Sequence, residues 1–175
     1  MTRIRVVLDA CVLVPYQLAD LLLRLADAEM FEPLWSEEIL EEVQRNLIAK
    51  RNVPPEKAIR RVNRMRSAFP NALVEGYEDL TTSMTTDPKD RHVAAAAVRG
   101  GGALIVTANT RDFPRMALEP YDIGVLHPDE FLQDQLDPAP ATTIRCLEQQ
   151  RAAYVRPGSR SRSSTWRSGR RCRIS

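Results

Sequence analysis

No stretch of this 175-residue chain approaches the roughly 20 consecutive apolar residues needed to cross a bilayer. Met1-Thr2-Arg3 leads straight into a short strand-like run rather than a signal peptide, so a soluble, cytoplasmic protein is the expectation. Cysteine is scarce: Cys11, Cys146 and Cys172 are odd in number, widely spaced and free of any CxxC or Cys/His grouping. Neither a disulfide framework nor a zinc site is indicated. Histidine is scarcer still, and neither His92 nor His127 has a nearby Ser or Cys in a nucleophile setting, which sets a histidine-based hydrolase aside. There is no GxxxxGK run; Gly100-Gly101-Gly102 precedes a strand-like segment and reads as a helix stop, not a phosphate cradle. No internal repeat is present.

What is there fits one compact domain and a tail. The chain is 43% hydrophobic, enough for one real core and too short for two comfortable ones. Its charge is unevenly laid out. Residues 151 to 175 carry eight arginines and no acid, leaving 17 basic and 23 acidic residues in the first 150, a body of net charge −6. Such a body is an awkward partner for RNA or DNA unless cations intervene, because phosphate contacts dominate nucleic-acid affinity.

The order of local patterns is that of an α/β protein. Residues 4 to 8 form a β-branched run ending at Asp9, and Pro15 opens a helix with Leu18, Leu21, Leu22 and Leu25 at helical spacing. A short strand over 31 to 35 precedes Ser36, an N-cap with Glu37 and Glu38 in the first turn of a helix reaching about residue 50. Pro54-Pro55 opens a helix to about Phe69 with a basic polar side, residues 72 to 75 suggest a short strand, and 76 to 86 read as a polar loop. Asp87-Pro88 is a cap and first-turn proline leading into an alanine-rich helix, whose small residues suggest close packing on a sheet. The apolar run 103 to 107 suits a strand buried on both faces, with a similar strand over 123 to 126 and a short helix over 128 to 136. A last amphipathic segment holds Ile144, Leu147 and Tyr154, and from Pro157 the Gly/Ser/Arg composition suggests a disordered basic tail. The expected division is 1–137, 138–156 and 157–175.

Four acids stand where strand or helix ends can aim them at one cleft. Asp9 ends the first strand, and in open α/β sheets ligands bind beyond the carboxyl ends of the strands. Asp112 lies in the polar loop after the strand 103 to 107, at the same edge. Glu42 lies at the flank of an apolar stripe made by Ile39, Leu40, Val43 and Leu47, so it can reach round toward a cleft. Asp90 falls in the first turn of its helix, where the macrodipole favours any acid; Asp87, which has an ordinary capping explanation, competes with it for the third acidic position. Each signal alone also fits a turn, a cap or a solvated helix flank; their convergence on one edge is what points to chemistry. Carboxylates packed this way repel and tend to protonate unless a divalent cation sits among them. Mg²⁺, or Mn²⁺, suits all-oxygen ligation with open water positions, and can generate hydroxide from bound water for attack on a phosphodiester. Arg91, Arg111 and Arg115 lie near the same edge and are candidates for holding phosphates. Cys11 reads as a packing residue.

The segments Val6–Leu13, Ser36–Val43, Asp87–Ala96 and Thr107–Phe113, in this order and spacing, resemble the PIN-domain family, in particular its branch of VapC-like toxins of toxin–antitoxin pairs. The resemblance covers about residues 3 to 135. It implies a three-layer α/β/α sandwich with a mainly parallel central sheet, and a metal-dependent endoribonuclease. Metal ligation would fall to Asp9 and Asp90, acidic support to Glu42 and Asp112, and a polar helper role to Thr107 or Asn109. It also implies Mg²⁺ or Mn²⁺, an RNA substrate, cut ends carrying 5′-phosphate and 3′-hydroxyl, a homodimer and a cognate antitoxin. The competing expectations are a non-catalytic RNA- or protein-binding module on the same scaffold, and a DNA- or flap-directed nuclease.

Overall fold

A computed structural model describes residues 3–155; the expected tail over 157–175 lies outside the described residues. Five strands form one all-parallel sheet in the order β3-β2-β1-β4-β5, with β1 Arg5–Leu8, β2 Glu32–Ser36, β3 Leu73–Val74, β4 Leu104–Val106 and β5 Gly124–Leu126. The central strands are Val/Ile/Leu-rich because helices cover both faces. Between them run α1 Ala10–Leu13, α2 Tyr16–Asp27, α3 Glu37–Arg51, α4 Pro55–Ala68, α5 Glu78–Thr81, α6 Arg91–Gly100 and α7 Arg115–Leu118, and α8 Pro128–Leu136 and α9 Pro140–Val155 close the described chain. The chain steps outward from β1 to β3, then returns past β1 to β4 and β5. With right-handed crossovers, this puts α2, α3 and α4 on one face and α6 and α7 on the other, the expected α/β/α sandwich.

Local chemistry accounts for these elements. Ser36 caps α3 by accepting from the Ile39 amide at 3.2 Å, with Glu37 and Glu38 in the first turn and Lys50 and Arg51 in the last. The four positions of the expected apolar stripe, Ile39, Leu40, Val43 and Leu47, are those that α3 buries. In α6 the alanines Ala94 to Ala97 are fully buried, and their small side chains let the helix lie close to the sheet. Gly101 then stops it in the left-handed region at φ 63°, which a side chain would resist.

Three expectations need correction. Residues 76 to 86 are not all loop, because α5 forms there with Glu78 and Asp79 in its first turn. The segment from Asp87 to Gly100 is not one helix: a 3-10 turn over Pro88–Asp90 comes first, and α6 begins at Arg91. In α9 the apolar residues are not the buried ones. Thr143 and Cys146 are buried while Ile144, Leu147 and Tyr154 remain exposed. Polar bonds set that orientation: Thr143 Oγ1 donates to Gln135 O (3.1 Å), Gln150 Nε2 to Gln17 O (2.7 Å) and the Cys146 thiol to Arg24 O (3.7 Å). Among the described residues no helix is long and apolar enough to cross a membrane.

Ala95→Leu is expected to lower unfolding free energy by about 1–3 kcal/mol through overpacking. Exposed Ala49→Leu on α3 is expected to change it by less than about 0.5 kcal/mol. Denaturant titration of both checks this; equal effects would refute the close packing of α6.

Candidate active site at the sheet's carboxyl edge

Strands β1 and β4 are neighbours at the point where the winding direction reverses, and that crevice is where open α/β sheets place ligands. Leu8 pairs with Val106 in the last step of their register, so the next residues out are Asp9 and Thr107. The Asp9 amide still bonds Val106 O at 3.1 Å, which fixes the start of the side chain. Its Oδ1 then caps α1 by accepting from the Ala10 amide (2.7 Å), and its Oδ2 accepts from Thr107 Oγ1 (2.7 Å) and the Cys11 thiol (3.2 Å). Asp9 is only 4% exposed and Thr107 is fully buried. Of the two expected polar helpers, Thr107 and Asn109, Thr107 is the one whose side chain bonds Asp9. Asn109 contributes its backbone amide, which donates to Thr107 Oγ1 at 3.1 Å.

Cys11 is more than a packing residue. Its sulfur accepts from the Ala108 amide at 3.2 Å and lies 3.3 Å from Thr107 Oγ1. Burial, reinforced by the charge of Asp9, pushes the thiol up to about 11. It therefore stays S–H near neutral pH and serves as a donor to the carboxylate, not a nucleophile. Only the two-residue spacing from Asp9 hinted at this contact.

Asp90 arrives from the other side of the crevice. Asp87 Oδ1 accepts from the Lys89 amide (3.1 Å) and the Asp87 amide donates to Asp112 O (3.0 Å), binding the turn before α6 to the loop after β4. Asp87 Oδ1 is therefore engaged in capping the turn. The Asp90 side chain is 13% exposed, and its Oδ2 is buried with no hydrogen-bond partner. Burial first, then the charge of Asp9, and also Asp112, push Asp90 up to about 7, with Lys89 opposing. The Lys89 ammonium stands 3.0 Å from Asp112 Oδ2 and 3.8 Å from Asp90 Oδ2. Its own pKa is raised, chiefly by the bond to Asp112.

Asp9, Asp90 and Asp112 thus form one electrostatically coupled group, and Glu42 stands apart from it. Its Oε1 accepts from Asn46 Nδ2 at 3.4 Å, and its Oε2 lies 3.9 Å from His92 Nε2. His92, 7% exposed, sits between two carboxylates one turn apart on α3, with Nδ1 3.8 Å from Glu38 Oε2 and Tyr77 OH also donating to Glu38 at 3.3 Å. Sequence reasoning passed over His92 because it sought a nucleophile partner, whereas the structure sets it on α6 facing two carboxylates of α3 at 3.8 and 3.9 Å. Of the arginines, Arg91 is half-buried with Nε lacking a partner, and Arg111 and Arg115 are exposed.

Among the described residues, no three His, Cys, Asp or Glu side chains are already arranged as a metal-ligand set. The donor chemistry nevertheless fits a hard cation: carboxylate and hydroxyl oxygens, excess negative charge, and one buried carboxylate oxygen without a hydrogen-bond partner. Arranged around the switch point, these groups could orient a phosphodiester and assist attack by water.

Residues 5–111 match the PIN domain family, and residues 128–158 match the family described as "VapC50 C-terminal domain". A protein of Mycobacterium tuberculosis (strain ATCC 25618 / H37Rv) named "Putative ribonuclease VapC50" is 47% identical over 95 residues, covering 52% of this chain and 56% of that protein. The chain therefore spans about half the length of that curated relative. No solved structure matches. With the match extending from β1 to the loop after β4, across the strands that carry Asp9 and Thr107, the chain belongs to the PIN-domain family.

Proposed function

We propose that this chain is a divalent-cation-dependent endoribonuclease and the toxic component of a type II toxin–antitoxin pair. Mg²⁺ is the proposed ion, with Mn²⁺ able to replace it. RNA is the substrate, a homodimer the working form and a cognate antitoxin the partner. The nuclease unit is placed in residues 1–137, with 138–156 as a helical extension. The observation that carries the reading is the group Asp9, Asp90 and Asp112, in which a buried Asp90 oxygen has no hydrogen-bond partner and the charges of Asp9 and Asp112 act on Asp90. Three such acids are costly to a fold unless a cation is part of the working state.

Asp9 and Asp90 would hold the ion. When bound, it would supply an activated water and neutralise charge on the phosphodiester. Thr107 and the Cys11 thiol hold the Asp9 carboxylate in one orientation, as outer-shell partners do for ligands generally. Asp112 adds negative charge and holds Lys89 beside the group. Glu42, steadied by Asn46 and facing His92, supports the α3 side of the cleft. Arg91 and Arg111 supply positive charge for phosphate. Intact acids at all four positions favour catalysis over a non-catalytic binding module on the same scaffold.

Purified protein is expected to cut RNA with Mg²⁺ or Mn²⁺ and not with EDTA. Asp9→Asn of verified fold is expected to fall to background, and Thr107→Val to lose about 10- to 100-fold in turnover. Gel assays of total RNA check this; cleavage that persists in EDTA or in Asp9→Asn would refute the reading.

Proton linkage gives a second test. Asp90 keeps its proton up to about pH 7 in the metal-free fold but only to about 3.9 in an unfolded chain. The fold therefore binds this proton more tightly. The associated stability is fully present below about pH 3.9 and is lost as pH rises through about 7. A cation among the ionised acids offsets that loss. Thermal melts are expected to show a larger Mg²⁺-induced rise in Tm at pH 8 than at pH 5.5. Asp90→Asn is expected to raise the metal-free Tm at pH 8 and to lose the Mg²⁺ response. A Mg²⁺ effect equal at both pH values would count against the site.

A further inference from the structure

Within the first 150 residues, basic charge is concentrated on the later part of α3 and on α4. Residues 45–66 hold eight basic side chains and one acid, Glu56, whereas the rest of the first 150 residues hold nine basic and 22 acidic ones. An acidic body with one strongly basic limb has a directional attraction for a polyanion, which its net charge conceals. On α4 the buried residues are Ala58, Val62 and Met65. At 100° per residue, Lys57, Arg60, Arg61 and Arg64 share one arc of about 100° beside that face, with Glu56 outside the arc and Arg66 on the opposite flank, paired to Glu37.

Arg61 shows which way this flank faces. Its guanidinium donates to Leu13 O (2.6 Å) and Val14 O (3.2 Å), the closing carbonyls of α1. Helix α1 is four residues long and is capped by Asp9, so about 6 Å of helix rise separates its two ends. The same guanidinium lies 5.3 Å from the centre of the Tyr16 ring, which is 46% exposed and meets Tyr154 edge-on at 5.9 Å. Positive charges in a row beside a half-exposed aromatic ring are the elements of a single-strand surface: the charges follow the backbone and the ring stacks a base.

We propose that the Lys57–Arg60–Arg61–Arg64 flank of α4, together with Tyr16, is a track for single-stranded RNA leading toward the carboxylate site. The inference rests on the nuclease reading above for the identity of the polyanion. Arg61 is the fixed member, anchored to α1; Lys57 and Arg60 are exposed and take backbone phosphates. Tyr16 makes the track selective for unpaired strands, because a duplex keeps its base faces covered.

The test is fluorescence anisotropy of a labelled, unstructured 12-nucleotide RNA and of its duplex, across a salt series in EDTA. Cleavage is absent there, so loss of the nuclease reading would leave the binding result intact. The double variant Lys57→Glu/Arg60→Glu is expected to weaken single-strand binding about tenfold or more. It should reduce the magnitude of the slope of log K against log salt by about 1.4, since each lost phosphate contact accounts for about 0.7. Tyr16→Ala is expected to cost about 5- to 100-fold on the single strand and far less on the duplex. The charge-matched control Arg3→Glu/Arg99→Glu, away from α4, is expected to change binding much less. Circular dichroism melts verify the fold of each. An unchanged affinity and slope in the α4 variant, an equal loss in the control, or lost binding to polyglutamate with RNA binding intact would overturn the proposal, the last assigning the flank to an acidic protein partner.

Discussion

The hydrogen-bonded ladder between β1 and β4 is the constraint on which the site depends. Parallel pairing that ends at Leu8 and Val106 sends Asp9 and Thr107 out side by side, and their 2.7 Å bond follows from that register. A shift of the register by one residue would turn both side chains to the other face. Burial of Val6, Val7, Leu8, Ile105 and Val106 makes such a shift prohibitive. The hydrophobic core therefore does more than stabilise the chain, since it sets the relative position of two polar groups separated by 98 residues in sequence.

Around that fixed pair the fold accumulates negative charge. Asp90 is brought in by a 3-10 turn tied through the Asp87 amide to the loop of Asp112, so two acid-bearing loops are held together by a backbone bond and the Lys89–Asp112 ion pair. Burial, and then the charge of Asp9, push Asp90 up to about 7. With its acids ionised, above about pH 7, the fold gains no stability from such an arrangement. A costly charge cluster at a topological switch point is the trade of stability for function that the proposed site would make. Lys89, reaching across to Asp112 at 3.0 Å, is the local counter-charge among the described residues, and with its side chain 63% exposed it is well solvated.

Much of this was legible in the sequence because it depends on local rules. The strand runs, the Ser36 cap, the apolar stripe of α3 and the alanine face of α6 are written in periodicity and capping chemistry, and the structure has each of them. The carboxyl-edge positions of Asp9 and Asp112 followed from strand ends alone. What was not legible depends on partners remote in sequence. The break of the Asp87 to Gly100 segment into a turn and a helix reflects the bond from the Asp87 amide to Asp112 O, which no local pattern encodes. The setting of Glu42 beside His92, and the polar docking of α9 on α2, likewise arise from contacts between distant segments. The metal-ligand roles of individual residues came from the family resemblance and the phosphate-holding arginines from their place near the carboxyl edge; both stand as proposals, the first supported by the charge that Asp9 and Asp112 exert on Asp90.

The most direct test of the central claim is a crystal structure of the full chain soaked in Mn²⁺, with anomalous scattering measured at the manganese edge. The account expects an anomalous peak within ligating distance of Asp9 and Asp90 carboxylate oxygens, absent from Asp9→Asn crystals. No peak at saturating Mn²⁺, or a peak only at a site remote from these two residues, would contradict it.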